Sequence, residues 1–156
     1  GRMRYHDFGD GRFVLRLDPG DDVISSLADL ADREGIDAGH ITGLGSVERI
    51  TLGFLDPEAQ EYVRRRFEEP MEVAQMTGTL SVEGDRHFVH LHAVVAPREL
   101  LAYGGHVHDA TVGVVMELFV TRLPGALTRL PVEGQPFPGL FLPGETPPGD
   151  EDADAS

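Results

Sequence analysis

The chain has no cysteine, no lysine and no tryptophan. Without cysteine, disulfides, thiolate metal ligands and a thiol nucleophile are all excluded, so any metal must be held by nitrogen and oxygen donors. Without lysine, positive charge rests on 13 arginines against 27 acidic residues, a formal net charge of −14 over 156 residues. A basic surface is the electrostatic footprint of nucleic-acid binding, and the balance here is the opposite. The densest basic patch, Arg64-Arg65-Arg66, is flanked by Glu61 and by Glu68-Glu69 and reads as a solvated, locally paired surface. An acidic, lysine-free composition suits a salt-loaded cytoplasm and equally a GC-rich genome, which replaces lysine codons with arginine codons. No apolar run approaches the roughly 18 residues that a membrane helix needs. The opening GRMRYHDFGDGRF is charged and lacks an apolar signal core. These absences predict a soluble, cytoplasmic protein with no membrane partner.

What is present is a core. Hydrophobic residues make up 40% of the chain, enough to bury a real interior at a one-domain length. In FVLRL, Phe13, Leu15 and Leu17 alternate with Val14 and Arg16, which predicts a strand. Asp18-Pro19-Gly20-Asp21 then reads as a turn into a helix start. Val23, Leu27, Leu30 and Ala31 recur at helical spacing, with Ile24 and Ala28 widening the stripe, and Gly35 is a suitable stop. One amphipathic helix is predicted over about Asp22 to Glu34.

Beyond it the chain turns β-rich. HITGLGSVERITLGFLD predicts two short strands broken near Gly43-Leu44-Gly45, and glycines at such a break usually mark a bulge. With Ser46 they could instead line a pocket with backbone N–H groups. EYVRRRFEE reads as strand or loop, and MEVAQMTGTLSV as a strand. Gly84-Asp85 forms the turn before the strand HFVHLHAVVA. The nearly continuous apolar run from Val112 to Val120, interrupted by Glu117, predicts a strand buried on both faces. ALTRLPV is a short edge candidate. From Glu133 the composition becomes Pro- and Gly-rich and then acidic, with Phe137, Leu140, Phe141 and Leu142 available to pack on the body. The pattern predicts a single α+β domain over 1–142, mostly β-sheet with one main helix. Residues 143–156 read as a disordered acidic Pro/Gly-rich tail.

Five of the seven histidines lie between His87 and His108. Residues two apart in a strand share a face, with Cα atoms about 6.6 Å apart, so His90 and His92 point together. A third imidazole from a neighbouring segment would complete three protein ligands and leave a position open, the arrangement of catalytic zinc sites. Gly104-Gly105 lets the backbone approach closely and bring His106 round to that face. The candidate metal ligands are therefore His90, His92 and His106, with His108 in reserve. His87, three residues before His90, should face the other side. A lone H-x-H on a strand is more often only a polar face, and no H-E-x-x-H helix motif is present to strengthen the reading.

VHLHAVV followed by GGHV resembles the prokaryotic branch of the plants-and-prokaryotes conserved (PPC) domain. ITGLGSVERITLGFLD is similar to that family's glycine-containing strand pair. EPMEVAQMTGTLS resembles its segment with a Glu and a later Gly, here Glu72 and Gly78. ATVGVVMELFVT falls at its late core strand, with Glu117 at an acidic position. The resemblance runs in order from about Arg12 to Leu130. It implies a domain built around an antiparallel sheet that associates as a homotrimer. His90 and His92 match the family's H-x-H and His106 its GGH, and in a trimer such a cluster could draw ligands from more than one chain. Plant members join the domain to AT hooks, short Arg-Gly-Arg-Pro segments that bind the minor groove. Prokaryotic members carry a DNA-binding label on that basis. This chain has no AT hook, so no DNA-binding residue is assigned, and any DNA role would run through protein partners.

Two functions follow. The first is a trimeric PPC-domain protein binding a divalent transition metal, zinc favoured, through the histidine cluster. The alternative is a small metal-dependent, hydrolase-like enzyme using three histidines and a bound water. Glu72 and Glu117 are general-base candidates by residue type only. No phosphate-binding loop is present, because GLGS lacks the following lysine and comes after the helix.

Overall fold

The computed structural model describes residues 3–147. Alternation along β2 (Arg12–Leu17) buries Phe13, Leu15 and Leu17. The helix follows as α1 (Val23–Glu34). Its N-cap, Asp22, accepts a hydrogen bond from the Ser25 backbone N–H at 2.7 Å. Gly35 ends it in the left-handed conformation, φ 63°, where only glycine sits without strain. Val23, Leu27, Leu30 and Ala31 face inward, and the helix packs over the β-sheet.

The sheet has nine strands: β1 (Arg4–Asp7), β2, β3 (Gly39–Asp56), β4 (Glu61–Phe67), β5 (Met71–Glu83), β6 (Arg86–Ala96), β7 (Tyr103–Arg122), β8 (Thr128–Leu130) and β9 (Gly139–Phe141). All pairings are antiparallel except the short contact of β5 with β8. β3 pairs with β5 and β7, β5 pairs with β6, and β6 pairs with β7. The four long strands thus close on themselves, so none of them presents a fully open edge. The core lies on the helix side, where Met76, Leu80, Leu91, Val107 and Met116 are buried. The α+β class is what the sequence predicts. Among the described residues no helix is long and apolar enough to cross a membrane.

Three expectations are corrected. HITGLGSVERITLGFLD is not two strands but the single 18-residue β3. The glycines mark a register shift against β5 between Gly43 and Gly45, so the bulge is real while the strand continues. They also allow close approach: a Cβ on Gly43 would lie 2.4 Å from the Glu117 carbonyl oxygen, and one on Gly45 2.1 Å from that of Val115. The segment around Val112–Val120 lies within the 20-residue β7 and is not covered on both faces. Val112, Met116, Leu118 and Val120 are buried, but Val114 is 73% and Phe119 52% exposed. The aromatic and aliphatic residues after Glu133 pack only in part. Phe141 is half-buried in β9, which pairs with β8, while Leu140 and Leu142 stay largely exposed. Within the proposed tail, a turn joins Leu142 to Glu145, and residues 148–156 lie outside the described residues. EYVRRRFEE resolves as a strand, β4, paired with the second half of β3.

Candidate metal centre

Opposed residues of an antiparallel pair share a face, and the registers place one continuous row on the side away from α1. It runs Arg64 on β4, Gly53 on β3, His106 on β7, His92 on β6, Thr77 on β5 and Thr42 back on β3. The row behind it sets His90 opposite Thr79. The two-residue period of β6 therefore puts His90 beside His92, and the β6–β7 pairing puts His106 opposite His92. The placement of His106 uses the close approach that the glycine pair allows, since a Cβ on Gly105 would lie 2.7 Å from the Gly53 carbonyl oxygen.

The result is a group of three imidazoles, His90, His92 and His106, with one nitrogen from each lying within 4.8 Å of the others. Ring centroids are 5.0 Å apart for His90 and His92, 5.3 Å for His90 and His106, and 5.6 Å for His92 and His106. Tetrahedral zinc with Zn–N of about 2.05 Å sets nitrogens about 3.3 Å apart. The rings would thus draw together by up to about 1.5 Å, and His92, which is exposed, has room to swing.

The fit can be tested on the donors themselves. His106 Nδ1 is buried with no hydrogen-bond partner, a costly state for a polar atom unless something binds it. Burial holds the His106 imidazole down to a pKa of about 4, helped by the positive fields of His108, His90, His92 and Arg64. Burial likewise lowers His90 to about 4, with His92 and Arg129 adding to the effect. Both rings are neutral at pH 7 and keep a lone pair available, which is what coordination needs. The donor set is all-imidazole, suited to zinc, copper, iron or nickel.

His108 is not in the triad. The register of β3 against β7 shifts between Thr51–Asp109 and Leu52–Val107, which leaves His108 as the extra residue of a bulge. Its ring lies 4.6 Å from that of His106, and its Nε2 is buried and unpartnered. Gly53 makes space for it, since a Cβ there would sit 2.2 Å from that nitrogen. Burial lowers the His108 pKa, with Arg64 adding and Asp109 opposing. Tyr62, which sequence reasoning missed, stacks on His106 at 4.9 Å and meets His108 edge-on at the same distance. No local signal marks Tyr62, because its position depends on the β3–β4 register.

His87 faces away, as the three-residue offset predicts. Its Nδ1 lies 2.5 Å from Asp32 Oδ1 and its Nε2 2.8 Å from Asp37 Oδ1, joining β6 to the helix and the segment after it. The two general-base candidates do not reach the histidines. Glu72 lies opposite Ala96, four positions along β6 from His92, and Glu117 lies opposite Leu44, eleven positions along β7 from His106. The hydrolase reading therefore has no carboxylate base in the cluster. The Arg64–Arg66 patch is locally paired only in part. Arg66 pairs with Glu68 at 2.9 Å and Arg65 lies over Phe67 and Tyr103, while Arg64 alone faces the histidines.

Known proteins share this fold. A metal-containing protein from Archaeoglobus fulgidus is 30% identical, with a TM-score of 0.79 over 90% of this chain and 97% of that one. A protein from Ralstonia eutropha with a provisional DNA-binding assignment is 28% identical, with a TM-score of 0.82 over 89% of this chain and 96% of the other. Among curated proteins, the bifunctional protein GlmU of a Synechococcus strain is 31% identical over 96 residues, 61% of this chain but only 14% of that much longer protein. The family defined by the Plants and Prokaryotes Conserved (PCC) domain matches residues 6–124, and the chain belongs to it.

Proposed function

We propose that this chain is a homotrimeric protein of the family that binds one divalent transition metal per subunit, zinc favoured, through His90, His92 and His106. The observation that carries this reading is the triad itself. Three imidazole nitrogens lie within 4.8 Å of one another, and the buried Nδ1 of His106 has no hydrogen-bond partner. The similarity to the metal-containing Archaeoglobus protein supports it. A divalent ion bound there would supply Lewis acidity at its open position. The exposed apolar side chains on the same side of the sheet support the trimer. Phe119 stands in the row of Thr42, Thr77 and His92, and Val94 follows His92 by two positions. Burying such residues against a second copy would remove them from water.

Direct DNA binding is not part of the reading. A net charge of −14 repels phosphate backbones, and a DNA role would require a partner protein. Metal content by mass spectrometry, on tag-free protein purified without added metal or chelator, tests the proposal. About one transition-metal ion per chain, lost on His90→Ala with His92→Ala, supports it. No metal, and no uptake from micromolar zinc, would leave the histidines as architecture alone.

A further inference from the structure

Arg129, on the short strand β8, is only 6% exposed, yet no carboxylate lies within ion-pairing distance of it among the described residues. Its partners are all neutral: Ser81 Oγ at 3.1 Å, Thr79 Oγ1 at 3.3 Å and the Pro138 carbonyl at 3.4 Å, with the Phe88 ring 4.9 Å away. A guanidinium has five N–H donors, so two remain unspent. Burying a charge without a counter-charge is costly, and an Arg–hydroxyl network does not neutralise it. The position of this charge is informative. Thr79, which Arg129 grips, is the register partner of His90.

On the other flank, Arg64 is exposed, without an ion-pair partner among the described residues. It lies in the row of His106, separated from it by Gly53, which adds no side chain between them. The triad contains no carboxylate. Three neutral ligands would leave the full charge of a divalent ion uncompensated, between two guanidinium groups, in a chain that is elsewhere strongly acidic. Asp109 opposes the positive field at His108, and Glu83 opposes it at Arg129.

We infer that the open side of the triad takes a small oxyanion, a carboxylate or a phosphate, which completes the metal's coordination while Arg129 and Arg64 hold its oxygens. This rests on the metal reading above and specifies its ligand. Guanidinium forks match both anions and form short, charge-assisted hydrogen bonds with them. Asp and Glu side chains of a partner protein would offer the same chemistry as a free metabolite.

The full-length chain loaded with one equivalent of cobalt(II) gives a direct readout, because its visible spectrum changes when an anion joins the coordination sphere. Acetate and inorganic phosphate are the probes, at constant ionic strength set by a non-coordinating salt. Saturable spectral change with one or both is expected. Arg64→Gln, on the surface, and Arg129→Gln should each weaken anion binding by roughly tenfold or more with cobalt affinity unchanged. Arg66→Gln should match the parent chain. Arg129→Lys, which keeps the charge, covers the case in which Arg129→Gln does not fold, and it should weaken binding less than Arg64→Gln combined with it. Cobalt uptake with no anion response up to about 100 mM, or equal anion affinity in all variants, would overturn the inference while leaving the metal site standing. Failure to take up cobalt at all would overturn the metal reading and this inference with it.

Discussion

Acidification should reveal how far the fold has already removed protons from the proposed ligands. Metal and proton compete for the same ring nitrogens, so affinity falls as each ligand protonates. For a free imidazole of pKa about 6.5, going from pH 7 to pH 5.5 raises the protonation penalty about eightfold, and three such ligands together would lose several hundredfold. Here burial, reinforced by neighbouring positive charge, holds His90 and His106 at about 4. At pH 5.5 those two remain almost wholly neutral. Competition at these two rings therefore costs almost nothing, and a single proton competing anywhere else in the site can cost at most about thirtyfold over about 1.5 pH units. The same lowered pKa values destabilise the metal-free fold in acid. The unfolded chain takes up protons below about pH 6.5 that these rings refuse until about pH 4, so stability is present above pH 6.5 and is lost as pH falls through that window. The assay is zinc affinity by competition with a chromophoric chelator of known pH dependence, at pH 7 and pH 5.5. A loss of a hundredfold or more over that interval would refute the reasoning, because it would mean the rings titrate as free imidazoles.

Other perturbations isolate other parts of the account. His87 should behave oppositely: burial pulls its pKa down, but hydrogen bonds and charge from Asp32 and Asp37 outweigh this and raise it above the usual value. Its contribution, about 1 kcal/mol for two half-exposed pairs, should be full below pH 6.5 and lost as pH rises through the raised pKa. Urea denaturation of metal-free His87→Ala should therefore show a larger deficit at pH 5.5 than at pH 9, and a pH-independent deficit would contradict the pairing. Gly78→Ala places a Cβ 2.1 Å from the His90 carbonyl oxygen and 2.6 Å from Leu91 Cδ2. It should cost about 2–3 kcal/mol by thermal denaturation and also weaken zinc binding, since it pushes β6 away at His90. Asp22→Ala removes the N-cap of α1 and should cost about 1 kcal/mol while leaving zinc affinity untouched.

The features that could be read from the sequence are those with a short period. β2 and α1 follow directly from alternation and from a 3.6-residue stripe, and Asp22 and Gly35 bound the helix as their chemistry predicts. His90 and His92 share a face for the same local reason, and the three-residue offset turns His87 to the other face, where it meets the helix. His106 needed one longer step, the close backbone approach that Gly104-Gly105 allows, and the family resemblance then agreed with it. What remained hidden depends on register between distant strands. Tyr62 reaches His106 only because β4 pairs with the second half of β3, and Arg129 approaches His90 only through Thr79. The break read at Gly43-Leu44-Gly45 failed because those glycines serve close strand approach as well as a bulge. The run from Val112 to Val120 looked doubly buried because composition cannot distinguish a core face from an exposed apolar face, and Val114 and Phe119 occupy the latter.

The central claim is that one metal ion sits among His90, His92 and His106. A crystal of the zinc-loaded full-length protein, measured above and below the zinc absorption edge, tests it most directly. The account predicts one anomalous peak per chain, about 2.0–2.1 Å from a nitrogen of each of the three rings, with a fourth position open to a non-protein oxygen. A peak held by other residues, or none at the triad at full zinc occupancy, would contradict it.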